Sequence, residues 1–207
     1  MLRILVRHWQ LSLCSCAALI CLFAVSSTRG QAPSGAEPQY AANGDLLFPQ
    51  GFETWVFVGS NLGLSYRPDL PMTTLAESTR ASQQFFHNVY VKREAYSYFL
   101  ANKTFPDKTV LMMPVYEAAD KEPRNVLATG VYNGKRVGVE AAVKNSARPD
   151  GSKTPWAYYD FTDPTNPSGI AASASAFPDS KCENCHRDHA STDHVWVQFY
   201  PPLRDKM

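Results

Sequence analysis

The sequence predicts a mainly β protein, an antiparallel sheet with two or three short helices. Short runs of aromatic and β-branched residues recur along the chain, separated by segments rich in proline, glycine and polar residues. Apolar residues at helical spacing are clearest in residues 93–101, at Tyr96, Phe99 and Leu100. With 207 residues, 44% of them apolar, the chain can form one packed domain and is too apolar for global disorder.

The charge balance argues against a protein that holds nucleic acid on a basic surface. Lysine and arginine number 20, aspartate and glutamate number 19, and the net charge is +1. Binding to phosphate backbones depends on an excess of cationic side chains. We therefore expect no nucleic-acid partner.

Residues 1–30 have the layout of a secretory signal peptide. Arg3 and Arg7 precede an uncharged, mostly apolar run at residues 11–25, and small or polar residues follow it. The run has 15 residues, whereas a spanning helix needs about 20, so an uncleaved anchor is the weaker alternative. We expect export to a bacterial periplasm and no membrane association after cleavage.

The mature chain is expected to begin with a flexible arm at residues 31–44, which are rich in alanine, proline and glycine. The domain follows over residues 45–207. Strands are predicted at residues 55–59, 85–91, 109–117, 156–161 and 195–200, and a helix at residues 93–101. Pro114 has no N–H to donate, which predicts a bulge or a sheet edge at that point.

The remaining segments are predicted to be turns and loops. Asn133-Gly134 is a typical hairpin turn and is expected to join a strand at residues 126–132 to one at residues 136–144. Long loops are predicted at residues 60–74 and 162–180, the second with a helical turn at residues 170–176.

One motif carries chemistry. Residues 182–186 read Cys-Glu-Asn-Cys-His, the attachment pattern of a c-type haem. Cys182 and Cys185 lie one helical turn apart, so each can add to a vinyl group of the porphyrin, and His186 can then reach the iron. The other three cysteines of the chain all lie within residues 1–30, so this pair alone remains after cleavage. We predict one haem c, bound through two thioethers, with His186 as the iron ligand.

Two alternatives to a haem site are weaker. A zinc site would need two further ligands from His87, His189 or His194, and the mature chain has no second cysteine pair. A thioredoxin-like redox pair would be expected after a strand in a βαβ unit, which the pattern does not contain.

The residue on the other side of the iron decides whether a haem carries electrons or binds ligands. The candidates are His87, His189, His194, Met72, Met112 and Met113. His189 follows His186 by three residues on the same short helix and is expected on the same side of the iron, and His194 is expected at a loop end. Met112 and Met113 should point to opposite faces of their strand.

The mature chain resembles the cytochrome P460 family, which includes the cytochromes c′-beta, from about Gly44 to Leu203. The stretches that carry the resemblance are residues 44–49, 55–59, 89–91, 105–107, 139–144, 156–159, the C-x-x-C-H motif and residues 199–204. The resemblance implies an antiparallel β-fold that forms a homodimer. It also implies a five-coordinate haem, with His186 on one side and an open face on the other for small nitrogen ligands.

Within the family, the P460 members oxidise hydroxylamine and the c′-beta members bind nitric oxide. The oxidising members carry a lysine that cross-links to the porphyrin. Counted from the turn at residues 107–109, that position is Met113 here. Lys108 takes the place of the turn's glycine and Lys103 precedes the turn, so neither is expected to substitute. A distal arginine of the P460 enzymes corresponds to His87.

Three functions follow as hypotheses. The first is a periplasmic protein that binds nitric oxide or a related small ligand, with Met113 as an apolar cap on the distal side. The second is a haem-dependent oxidoreductase acting on hydroxylamine or nitric oxide, with His87 or Glu140 as the base. The third is an electron carrier with His186 and Met113 as axial ligands, which would exchange electrons with a partner cytochrome.

Overall fold

The computed structural model describes residues 37–64, 84–120 and 130–207. Seven strands are described: β1 (Leu46–Leu47), β2 (Val56–Leu62), β3 (Phe85–Val91), β4 (Val110–Ala119), β5 (Tyr132–Lys144), β6 (Trp156–Asp160) and β7 (Ser173–Ala174). Strands β2 to β6 form one antiparallel sheet in chain order, and β1 pairs with β7. The described residues therefore form a mainly β, antiparallel fold, as predicted.

Three short α-helices and two 3₁₀ turns complete the described elements. The helices are α1 (Arg93–Asn102), α2 (Glu183–His189) and α3 (Pro201–Arg204), and the 3₁₀ turns span Phe52–Thr54 and Val197–Phe199. No helix among the described residues is long and apolar enough to cross a membrane. Residues 1–36, which contain the predicted signal peptide and the first part of the predicted arm, lie outside the described part, as does Met72.

The sheet has an apolar core on each side. Strand side chains alternate between the faces, and we call them the front and back faces. Front-face residues pack with α1, α3 and the C-terminal 3₁₀ turn; they include Val58, Val89, Val91, Leu111, Trp156 and Tyr158. Back-face residues pack with apolar side chains of residues 40–55; they include Val110, Met112, Val139, Ala141 and Tyr159.

Gly59 allows the C-terminal segment to pack closely on the front face. A Cβ atom at this position would lie 2.9 Å from Cδ1 of Tyr200, which is too close for an unstrained contact. The glycine therefore lets the residues that follow the haem motif pack against β2, at the edge of the sheet.

The predictions for β3 and α1 are confirmed, the first at both ends and the second to within one residue. The prediction of a hairpin turn at Asn133-Gly134 is wrong, because both residues lie inside β5. There Ala118 pairs with Asn133, and a Cβ atom on Gly134 would lie 2.9 Å from Cβ of Ala119. This glycine serves close packing between strands rather than a turn. Residues 126–129 of the predicted first arm lie outside the described residues.

Three further predictions need correction. Residues 195–200 form no strand but contain the 3₁₀ turn Val197–Phe199, because they pack on the front face instead of pairing with an edge strand. The helical turn expected at residues 170–176 is replaced by β7. Pro114 lies in a central strand, so an edge is wrong; the irregularity in register begins one residue later, at Val115.

Candidate functional site

The C-x-x-C-H motif lies at the start of α2. Cys182 immediately precedes the helix, Cys185 and His186 lie within it, and both cysteines are half-buried thiols that form no disulfide. The backbone N–H of Asn184 donates to the carbonyl oxygen of Asp179 at 3.0 Å. The helix therefore presents two thiols one turn apart with the histidine beside them, as attachment of a haem requires.

The buried guanidinium of Arg148 anchors the chain that enters α2. Its side chain is 1% exposed and pairs with the carboxylates of Asp150 and Asp179, at 2.9 Å to the second. It also donates to the carbonyl oxygen of Trp156 at 2.6 Å, which ties the segment to β6. These contacts fix where the motif sits relative to the sheet.

His186 is held in one tautomer by its surroundings. Its Nδ1 lies 3.0 Å from the carbonyl oxygen of His194, and a carbonyl can only accept, so Nδ1 carries the proton. Its ring packs against that of Tyr158 on the front face, with 4.3 Å between centroids. Burial lowers the pKa of His186 to about 4, so the ring is neutral at neutral pH. Nε2 therefore carries a lone pair rather than a proton, which is the form that binds iron.

The indole N–H of Trp196 donates to that lone pair, with 3.1 Å between Nε1 and His186 Nε2. An iron–Nε2 bond and this hydrogen bond exclude each other, so Trp196 must give up the contact when a haem is bound. The donor set itself, two thiols and a neutral imidazole with Nδ1 occupied, fits a c-type haem.

The other two candidate histidines of the C-terminal region lie at the end of α2 and in the turn after it. His189 is exposed at the end of α2. His194 lies in the turn that follows, and its Nδ1 is 2.6 Å from Oε1 of Glu183. Burial raises the pKa of that carboxyl, and His194 partly opposes the effect. His194 thus meets His186 through its backbone, while its ring is turned to Glu183.

Met112 and Met113 point to opposite faces of β4, as predicted. Met112 is fully buried in the back-face core. Met113 is half-buried on the front face, against the same apolar cluster as Cys182. It pairs with Glu140 of β5, in the row next to the one that contains Leu111, Ala142 and Tyr158. Met113 is therefore on the face that α2 covers.

The two lysines near the predicted cross-link position are engaged elsewhere. Lys108 adopts a left-handed backbone with φ 66°, as suits a glycine position in a turn, and its Nζ donates to the side chain of Asn145. Nζ of Lys103 donates to the carbonyl oxygen of Leu100 at 3.0 Å and also to that of Lys206. Their hydrogen bonds support the expectation that neither replaces the missing lysine.

His87 lies on the front face of β3, two residues before Val89, and pairs with Asn61 and Val115. Its Nδ1 is buried and has no hydrogen-bond partner within the described ranges. Burial lowers the pKa of His87. An unpaired buried nitrogen is costly, which suits a group that meets a polar ligand. His87 is, however, farther along the sheet from Tyr158 than Met113 is.

We expect His87 to make the folded protein less stable in acid. Its pKa is lowered from 6.5 on folding, so the unfolded chain binds more protons just below that value, and the free energy of unfolding falls as the pH drops through this range. His87→Gln should flatten this dependence in urea unfolding of the haem-loaded protein between pH 8 and pH 5. His189→Gln, at an exposed histidine, is the control. Equal slopes for His87→Gln and the unmodified protein would contradict the prediction.

Sequence reasoning missed Glu183, which stands between the two cysteines of the motif yet is 1% exposed. It also missed Asp193 and Trp196, which are brought to the site by the turn after α2. The described residues contain no group of three or more histidine, cysteine, aspartate or glutamate side chains placed to share a metal ion. Glu140 is exposed and lies between Met113 and Asp160 in the sheet.

Comparison with known proteins agrees with the geometry. A search of curated proteins found no match. The family model for cytochrome P460 matches residues 49–197, which is more than two thirds of the chain and includes all of β2 to β6 and α2. The chain therefore belongs to the cytochrome P460 family and is a haem cytochrome.

Proposed function

We propose that the protein is an exported cytochrome with one covalently attached haem c that binds small nitrogen species, such as nitric oxide, on the open side of the iron. The haem, when bound, supplies an iron atom with one coordination position free for such a ligand. Cys182 and Cys185 hold the porphyrin, and His186 ligates through Nε2. The hydrogen bond from Nδ1 to the carbonyl oxygen of His194 supports this assignment.

The observation that carries the proposal is the position of Met113. It is half-buried on the front face, against the same apolar cluster as Cys182, at the position where oxidising members of the family have lysine. A thioether cannot form the lysine cross-link, and methionine commonly fills irregular apolar space. The sheet therefore offers the haem an apolar cap, which suits binding of a small uncharged ligand.

Oxidation of hydroxylamine is the second candidate, and the unpaired Nδ1 of His87 is the observation in its favour. A buried neutral imidazole can accept a proton from a bound substrate. Glu140, the other candidate base, is exposed on the sheet. Water competes with an exposed carboxylate for the proton of a substrate, so Glu140 is the weaker candidate base. This activity is placed second because Met113 stands where the oxidising members of the family have the cross-linking lysine.

Export and assembly in this proposal are supported by sequence. The signal-like pattern of residues 1–30 supports delivery to the periplasm. The family resemblance supports a homodimer.

The test is the absorption spectrum of protein produced with a cytochrome c maturation system, before and after addition of nitric oxide. We expect a high-spin ferric haem with a Soret band in the usual c-haem range, and an immediate shift with nitric oxide. A ferrous Soret band displaced strongly to the red would show a cross-link despite Met113 and would return hydroxylamine oxidation to first place. A low-spin spectrum that nitric oxide does not alter would contradict ligand binding.

Met113→Leu separates the apolar cap from an axial ligand. Leucine keeps the volume and the apolar surface but cannot bind iron, and such an exchange costs less than about 1.5 kcal/mol of stability. We expect the spin state and the response to nitric oxide to stay as in the unmodified protein. Met112→Leu, on the back face, is the matched control. A change from low spin to high spin in Met113→Leu alone would establish the electron carrier with His186 and methionine ligands.

A further inference from the structure

We propose that Glu183 and His194 are positioning residues, which hold the carbonyl oxygen of His194 against Nδ1 of His186 and thereby set the strength of the iron–histidine bond and the reduction potential. This inference rests on the proposed haem attachment with His186 as ligand. It assigns a role to the first of the two residues between the cysteines.

The carbonyl oxygen of His194 is presented by an unusual turn. It accepts from Nδ1 of His186 at 3.0 Å and from the hydroxyl of Tyr158 at 3.3 Å. Asp193 and His194 have backbone φ angles of 50° and 59°, so two successive residues other than glycine are left-handed. Such conformations are disfavoured for these residues and persist where surrounding contacts hold them.

On one side, the turn is held by the buried carboxylate of Glu183. Its Oε1 lies 2.6 Å from Nδ1 of His194, and its Oε2 lies 3.3 Å from the hydroxyl of Tyr158, whose one proton is shared between this oxygen and the carbonyl oxygen of His194. Glu183 is 1% exposed, and a carboxylate removed from water needs such partners. The contact joins α2, which carries His186, to the turn that contacts Nδ1.

On the other side, the turn is held by Asp193. Its Oδ2 accepts from the backbone N–H of Phe105 at 2.7 Å and lies 2.9 Å from Nζ of Lys144. Lys144 ends β5, so the sheet fixes this half of the turn. Besides the Nδ1 contact itself, the contact of Glu183 with the imidazole of His194 joins the turn to α2, and we infer that it sets how closely the carbonyl approaches His186.

The chemical consequence follows from the hydrogen bond at Nδ1. A strong acceptor there gives the imidazole more anionic character, makes it a stronger ligand and favours ferric over ferrous iron. Removing the side chain that positions the acceptor should weaken this bond. The ferrous form then becomes more favourable and the potential rises.

The experiment compares Glu183→Ala, Glu183→Gln and the control Asn184→Ala in the haem-loaded protein. Asn184 is the neighbouring residue of the motif, and its side chain is exposed. Haem content is measured by the pyridine haemochrome assay, the iron–histidine stretching frequency by resonance Raman spectroscopy of the ferrous protein, and the potential by redox titration.

We expect Glu183→Ala to lower the stretching frequency and to raise the ferrous-to-ferric ratio at fixed ambient potential about tenfold, equivalent to about 59 mV for one electron. Glu183→Gln keeps an acceptor for His194 and should lie between Glu183→Ala and the unmodified protein. Asn184→Ala should match the unmodified protein. A haem-loaded Glu183→Ala with unchanged frequency and potential would overturn the inference.

His194→Ala keeps the test decisive if Glu183→Ala yields no folded protein. It removes the imidazole that Glu183 holds but retains the backbone carbonyl, so the same fall in frequency and rise in potential are expected. Unchanged values in haem-loaded His194→Ala would also overturn the inference. Failure of the unmodified protein to acquire haem would instead refute the proposed function, so the two failures are distinguishable.

Discussion

Replacing Cys182 and Cys185 together with serine is expected to abolish covalent attachment of haem. Serine keeps the size and polarity of the side chains, and both positions are half-buried, so the fold around α2 should tolerate the change. A hydroxyl does not form the thioether to the porphyrin that the motif exists to make. Haem staining after denaturing electrophoresis should be lost, and the mass should fall to that of the bare chain.

Each single replacement should leave one thioether, so haem should remain attached with an altered spectrum. Ser180→Ala, an exposed position just before the motif, is the control and should retain normal haem content. Haem that survives denaturation in the double variant would show that a third side chain bonds to the porphyrin. That result would reopen the question of a cross-link and, with it, of hydroxylamine oxidation.

The sequence predicted best where local pattern and tertiary structure agree. In β3, residues of the types that favour strands pair on both sides, with β2 and β4. In α1, the buried Ala95 and Phe99 are four residues apart and face one core. Such elements can be predicted from sequence because their apolar face is also the face that is buried.

The same sequence patterns gave wrong predictions where tertiary packing determines the local structure. Residues 195–200 alternate like a strand, but Gly59 lets Tyr200 pack onto the front face, and the segment turns into a 3₁₀ helix there. Asn133-Gly134 has the residues of a tight turn, yet both lie within β5, and Asn133 pairs with Ala118 of β4. In each case a contact with a distant part of the chain outweighs the local preference.

The candidate site was predictable in part, for the same reason. Cys182, Cys185 and His186 lie within one short motif, and their spacing alone indicates haem attachment. The turn that contacts His186 comes from a later part of the chain. Glu183 and His194 are 11 residues apart, and only the left-handed turn at Asp193 brings them together. A glutamate within the motif gives no sign in sequence that its carboxylate is buried rather than exposed.

Replacing Asp193 with alanine should strongly destabilise the folded protein. The carboxylate pairs with Nζ of Lys144 at 2.9 Å, with side chains 12% and 18% exposed, and also accepts from the N–H of Phe105 and the hydroxyl of Thr104. Alanine removes the acceptor of the Phe105 N–H and the Thr104 hydroxyl, leaves Lys144 without its carboxylate partner, and strains a residue with φ 50°. We expect the free energy of unfolding to fall by about 3 kcal/mol, the lower end for a broken buried ion pair.

Asp193→Asn isolates the charge in this prediction. Asparagine tolerates the left-handed backbone and still accepts from the N–H of Phe105, so the loss should be smaller, roughly 2 kcal/mol, from the weakened contact with Lys144. Asp205→Ala, at an exposed pair with Arg204, is the control and should change stability by less than about 0.5 kcal/mol. Urea unfolding of the haem-loaded proteins gives these values. If Asp193→Ala were as stable as Asp205→Ala, the turn would be held by Glu183 alone.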